Sequence, residues 1–249
     1  ELARRIGRET GDMALQLCAA NLLAYGTLFL GDVDGAQRLA LDALPLAIET
    51  DDLREQARSR DLLGLCALKS DRLIEARKWA TELIDSAELR GYRDGVARGT
   101  LLLARTASKQ EDLDEAASAF KRTAALYLML GQPFSVSMTE LDLAVVHIRR
   151  GVHHQALRLV ARAESRLQED AKQGLFSTLA PLVKAAALAG LHRWDEATTA
   201  LADSQAGGTS HASLAFIAEL GRDLSREGAP KLSTAFSAYA SQLVGSRTP

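Results

Sequence analysis

The sequence predicts an all-α protein, an array of antiparallel helix hairpins, and three observations carry that prediction. Alanine, leucine and arginine dominate a chain of 249 residues that is 47% hydrophobic, with aromatics at 5% and five prolines. That composition buries a core and favours helix over sheet. One alanine then recurs as Ala36, Ala76, Ala116, Ala156 and Ala197, at separations of 40, 40, 40 and 41. Twelve residues before each stands another small residue, Ala24, Gly64, Ala104, Ala144 and Ala185, in the same register. Two antiparallel helices approach closely only where neither projects a bulky side chain, so each pair of small residues marks one hairpin.

Each unit has a first helix, A, patterned like "LLAYGTLFL", and a second, B, patterned like "AQRLALDALPLAI", with apolar residues at three- and four-residue spacing. Turn chemistry separates A from B at "GDVD", "KSDR", "KQED" and "RRGVH". Between units the chain reverses at "ETGD", "ETDD", "LRGY" and "MLGQ", placing Gly11, Gly91 and Gly131 where a helix end favours a left-handed residue. The predicted helices are A 13–30, B 33–49, A 53–69, B 72–90, A 93–109, B 112–130, A 134–150, B 153–170, A 176–190 and B 194–204. These form repeats over 13–50, 53–90, 93–130, 134–172 and 176–205, with a degenerate pair over 211–245, all within one domain spanning 1–249.

Some local features modulate this reading. Pro45 lies inside the first helix B, where a missing N–H predicts a bend. The one-residue excess falls between Ala156 and Ala185, most simply near Gln173. Pro230 suits the first turn of the last helix, and the "SRTP" tail is expected to fray. "ELARRIGRETGD" aligns forty residues before "LDALPLAIETDD", Ala3 on Ala43, so residues 1–12 read as the end of a truncated preceding helix B. An array interrupted in mid-hairpin points to an upstream continuation and flanking domains.

Charge and motifs exclude several function classes. The net charge of −2 is spread over interleaved acids and bases, without the basic block that nucleic-acid binding needs. No apolar run reaches membrane-spanning length. Cys18 and Cys66 sit singly in apolar helical runs and read as small buried hydrophobes of a reducing, cytoplasmic compartment. Phosphate loops, nucleophile elbows and metal-protease motifs are missing from the sequence, so neither a cofactor nor catalysis is expected. His147, His153 and His154 cluster near one turn, but neighbours on a helix diverge, so no metal site is expected there. Asp114 and Glu115, like Asp195 and Glu196, occupy first turns of B helices and offset the helix dipole. Trp79 and Trp194 read as packing residues.

Helix hairpins with small residues twelve apart resemble tetratricopeptide repeats. The resemblance covers residues 13 to 204, and a leucine preceding the helix A small residue recurs as Leu23, Leu63, Leu103 and Leu143. The period is longer than the family's usual 34 residues. The helix A tryptophan and most of the closing prolines are absent. The longer version, with "GD" turns, is similar to the sensor arrays of large bacterial signal-transduction ATPases and their transcription activators of the maltose-regulon type. Arrays that follow some bacterial serine/threonine kinases are similar too.

What this resemblance implies is a right-handed α-solenoid whose A helices line a concave face for a protein or peptide, or a small effector. On the first unit the lining would be Asn21, Tyr25, Leu28 and Phe29; on the second Asp61, Leu65, Leu68 and Lys69. Leu101, Arg105, Ser108 and Lys109 would follow, then Leu141, Val145, Ile148 and Arg149. Arg58 and Arg98 lie one turn back on the same side. Asn21, Tyr25, Arg58, Asp61, Lys69, Arg98, Arg105, Lys109 and Arg149 are therefore the candidate contact residues, and the arginines suit the carboxylates of an acidic partner.

Overall fold

The computed structural model describes residues 11–167, 174–206 and 212–245. Expectations for residues 1–10, for Gln173 and for the "SRTP" tail lie outside the described residues. Every described regular element is an α-helix. In order they are α1 (Met13–Phe29), α2 (Val33–Glu49), α3 (Leu53–Lys69), α4 (Leu73–Leu89), α5 (Arg93–Lys109) and α6 (Leu113–Met129). There follow α7 (Pro133–Arg149), α8 (His153–Arg166), α9 (Leu175–Ala189), α10 (Trp194–Ala206), α11 (Ala212–Ser225) and α12 (Pro230–Gly245). Consecutive helices pack as antiparallel pairs, the arrangement of an all-α solenoid. The chain divides into two compact units, 1–126 and 127–249.

The turns explain the regularity. Each helix from α1 to α7 is 17 residues long, and the residue two beyond its end has positive φ. Those residues are Gly31, Asp51, Asp71, Gly91, Glu111, Gly131 and Gly151, one every twenty positions. At each turn two amides close back onto the helix: Gly91 N–H donates to the Glu88 carbonyl (3.1 Å) and Tyr92 N–H to that of Ala87 (2.8 Å). The same pair recurs as Gly31 to Leu28 with Asp32 to Thr27, and as Gly151 to Ile148 with Val152 to His147. This Schellman closure satisfies carbonyls that the helix end would otherwise leave open. The forty-residue period is thus two equal half-periods. Side chains finish several starts: Asp12, Asp32, Asp52 and Asp112 accept from backbone amides one turn into α1, α2, α3 and α6.

All nine alanines of the repeat pattern, from Ala24 to Ala197, are fully buried. Gly64 is buried as well, and a methyl group there would come within 2.1 Å of Leu102 Cδ2. Its smallness therefore serves the contact of α3 with α5, the next A helix, as well as packing inside a hairpin. In the N-terminal unit Ala24, Leu28, Ala36 and Ala40 of the first pair close on Leu62, Leu63 and Cys66 of α3. The C-terminal unit is organised on α9, which contacts α7, α8, α10 and α11 and is buried along almost its whole length apart from Lys184.

Two helices depart from sequence expectation. α8 ends at Arg166, where Leu167 turns extended (φ −95°, ψ 142°) and buries its side chain, and positions 168–170 of the expected helix lie outside the described residues. α9 carries an interior proline, Pro181, as α2 carries Pro45, and both helices run through without interruption. At Pro45 the carbonyl left without an intrahelical donor belongs to Leu41, an exposed residue, so water can satisfy it.

Candidate functional site

In the N-terminal unit α1 packs against α3 and α3 against α5, so three A helices share one face. Most of the candidate residues lie on it. Tyr25, Leu65 and Arg105 each follow the small residue of their helix, and all three are half-buried, as is Leu101.

Polar side chains tie these helices together across the repeat. Asn21 is fully buried beneath the face, and its amide is consumed internally. Its Nδ2 donates to Glu55 Oε2 (2.9 Å) and to the Glu55 carbonyl (3.3 Å), while its Oδ1 accepts from Ser59 Oγ (3.0 Å). The Tyr25 hydroxyl donates to Asp61 Oδ2 at 2.6 Å, and Arg98 Nη1 lies 3.5 Å from the same oxygen. Arg98 also donates through Nε to Asp94 Oδ2 at 2.7 Å. Arg58 donates to Glu55 Oε1 (2.6 Å) and approaches Cys18 Sγ (3.6 Å). A ladder Tyr25–Asp61–Arg98–Asp94 thus runs from α1 through α3 to α5.

Burial sets the electrostatics of this ladder. Desolvation pushes the Asp61 carboxyl above the usual carboxylate range, against the opposing pull of Arg98, Tyr25 and Arg105. Burial and the neighbouring Asp61 also push the Tyr25 hydroxyl well above its ordinary value, keeping it a donor. Desolvation pulls the Arg98 guanidinium down, but Tyr25, Asp61 and Asp94 outweigh it and hold it above its ordinary value.

The two lysines have equivalent roles. Lys69 Nζ donates to the Leu28 carbonyl and Lys109 Nζ to the Leu68 carbonyl, each at 3.1 Å and each at the end of the preceding A helix. Lys109 also pairs with Asp71 at 3.0 Å. A cation at a helix C-terminus complements both the open carbonyl and the helix dipole. Arg149 belongs to the C-terminal unit, where its guanidinium stacks 5.6 Å from the centre of the Phe216 ring of α11.

The basic residues of the face are therefore engaged with groups of the chain itself. Glu55, Asp94 and Ser59 were missed as members of the network. For Glu55 and Asp94 a signal exists, since each stands three or four residues before the arginine it binds. Ser59 carries none, because its partner lies 38 residues away. Phe216 was likewise invisible as a partner of Arg149.

The histidines and cysteines occupy other places. His153 packs its ring against Gly190 in the C-terminal unit, with Nδ1 buried and lacking a hydrogen-bond partner. Burial, reinforced by His154 and His192, holds its imidazole below the ordinary value. Among the described residues no three metal-ligating side chains converge. Cys66 is buried and Cys18 half-buried, and burial pushes the Cys66 thiol up to about 11. No described helix is long and apolar enough to cross a membrane.

No protein-family model matches the sequence, and no curated protein matches it significantly. Solved structures do resemble it. BtubC (BKLC) from P. vanneervenii superposes with a TM-score of 0.60 at 18% identity, over 82% of each chain. A kinesin light chain from P. anserina, with nearly identical TPR-like repeats, superposes with a TM-score of 0.57 at 15% identity, over 78% of this chain and 95% of that one. Hairpin packing, the forty-residue register and these two superpositions lead to one conclusion: the chain has a TPR-like helical-repeat fold.

Proposed function

We propose that this chain is a non-catalytic scaffold that holds a protein or peptide segment against the A helices of its N-terminal unit. One observation carries the reading: Tyr25, Leu65 and Arg105, at equivalent positions of three packed A helices, are half-buried side chains side by side on one face. Rows of partly exposed side chains on helices locked in register suit an extended or helical segment lying across them. The ladder beneath the row fixes the spacing in advance and lowers the ordering cost of binding.

The segment we favour is apolar opposite Tyr25 and Leu65 and crosses the aliphatic stem of Arg105. A wholly acidic partner is disfavoured, because Arg58, Arg98 and Lys109 already hold Glu55, Asp94 and Asp71. The long period and "GD" turns support a place in a cytoplasmic bacterial signalling or transcription-regulatory protein, whose neighbouring domain would respond to the filled face. A free-standing assembly adaptor would use the same face.

The test is affinity selection of a displayed random peptide library on the full chain, followed by anisotropy titration of the selected peptides. Combining Leu65→Gln with Arg105→Ala should weaken them about tenfold or more, while Lys78→Ala on the exposed side of α4 leaves them unchanged. Equal affinity for both variants would overturn the assignment.

A further inference from the structure

The first hairpin leaves uncovered the side that every later A helix of the N-terminal unit buries. Leu62 of α3 and Leu102 of α5 are 0% and 1% exposed, whereas Leu22, forty residues before Leu62 and in the same register, is 59% exposed. Four residues on, Cys66 and Thr106 are both 0% exposed. Their counterpart Gly26 is exposed, with nothing within 4 Å of where its Cβ would stand.

What covers the later positions is visible. Leu62 and Cys66 close on Ala24, Leu28, Ala36 and Ala40 of the hairpin before them. Leu102 sits on Gly64, so tightly that a methyl there would lie 2.1 Å away. The Leu22 and Gly26 side of α1 is thus the continuation of an interface made twice already within this unit. The chain also enters α1 through Gly11 at φ +71°, the place held by Asp51 (φ 54°) and Gly91 (φ 66°) where a B helix hands over to the next A helix.

We infer that this side of α1 is a docking surface for a further helix hairpin of the same forty-residue type, packed ahead of α1. That hairpin presents a small residue of its own helix A to Leu22, as Gly64 does to Leu102, and larger side chains there are excluded. Leu22 alone would be an unremarkable exposed leucine. Its register with two fully buried leucines and the open space over Gly26 distinguish it.

The experiment compares the full chain with an extended one in which a copy of residues 53–90 replaces residues 1–10, directly before Gly11. In the extended chain the added hairpin folds, α1 amides exchange about tenfold or more slowly, and Leu22→Asp lowers the folding constant about tenfold or more. In the parent chain the same substitution has little effect, since the side chain is already in water. An added hairpin that stays unfolded, or Leu22→Asp costing the same in both chains, overturns the inference. So does concentration-dependent self-association of the parent chain that Leu22→Asp abolishes, because the occupant is then a second copy.

Discussion

In the N-terminal unit polar side chains run from one hairpin to the next, whereas in the C-terminal unit several run inside a hairpin. Asn21 to Glu55, Tyr25 to Asp61, Arg77 to Glu115 and Arg90 to Asp51 span 34, 36, 38 and 39 residues, about one repeat. Ser137 to the Ala163 carbonyl, Ser204 to the Thr178 carbonyl and Arg166 to Glu140 each span 26 residues, the separation across one A–B pair. The C-terminal unit joins its pairs mainly through α9, apolar nearly all round, with a buried polar link where the Tyr239 hydroxyl of α12 meets the Ser204 hydroxyl and carbonyl of α10. Apolar contacts hold helices together with loose rotational preference, while buried hydrogen bonds specify register. The N-terminal unit is therefore where neighbouring A helices are locked in a defined order, as the binding face we propose would require.

The contrast breaks most readily at Asn21. Asn21→Leu strands Ser59 and part of Glu55 in a buried place and should cost the N-terminal unit about 2–3 kcal/mol. Ser137→Ala removes one hydroxyl-to-carbonyl bond within a hairpin and should cost about 1 kcal/mol. Site-resolved hydrogen exchange reads both, in α1–α3 and α7–α8 respectively; equal losses would remove the distinction.

A smaller effect should not distinguish the units at all. Gly91 and Gly131 share φ 66° and have nothing within 4 Å of a built Cβ, so alanine at either meets only conformational strain. Each substitution should cost about 1 kcal/mol. Unequal costs, measured by denaturant titration of each variant, would show that the turns are held by more than their own geometry.

The smallest effect is a difference in pH response. The folded-state pKa of His153 is lowered, so its contribution to the C-terminal unit is present above the ordinary imidazole pKa of about 6.5 and lost as pH falls through that range. The folded-state pKa of Asp61 is raised, so its burial weighs on the N-terminal unit above the carboxylate range and is relieved as pH falls into it. His153→Gln should flatten the stability of α8 and α9 as pH falls below about 6.5, and Asp61→Asn should leave α8 and α9 unchanged in that window. A His153→Gln variant with the parent's slope would contradict the assignment.

The fold was legible because small residues recur in two registers twelve apart, and packing tolerates little variation there. The turns were only half legible: glycine marks Gly31, Gly91, Gly131 and Gly151, but Asp51, Asp71 and Glu111 adopt the same left-handed conformation without that signature. Acidic residues tolerate it when the Schellman bonds enforce it. The expected contact residues were legible as positions on A helices, but their partners within the chain were not. Polarity at Asn21 suggested exposure, yet the residue is buried because Glu55 and Ser59 meet it from the next helix. Arg58 and Arg98 have carboxylates within one turn, a pairing that a helical net displays. The Tyr25–Asp61 bond depends on how two helices are set against each other, which no local pattern encodes.

The most direct measurement of the central claim is hydrogen-exchange footprinting of the full chain with and without a selected, saturating peptide. The account predicts new protection confined to α1, α3 and α5, strongest around Tyr25, Leu65 and Arg105. Protection that falls instead on α2 and α4, or only on helices of the C-terminal unit, would contradict it.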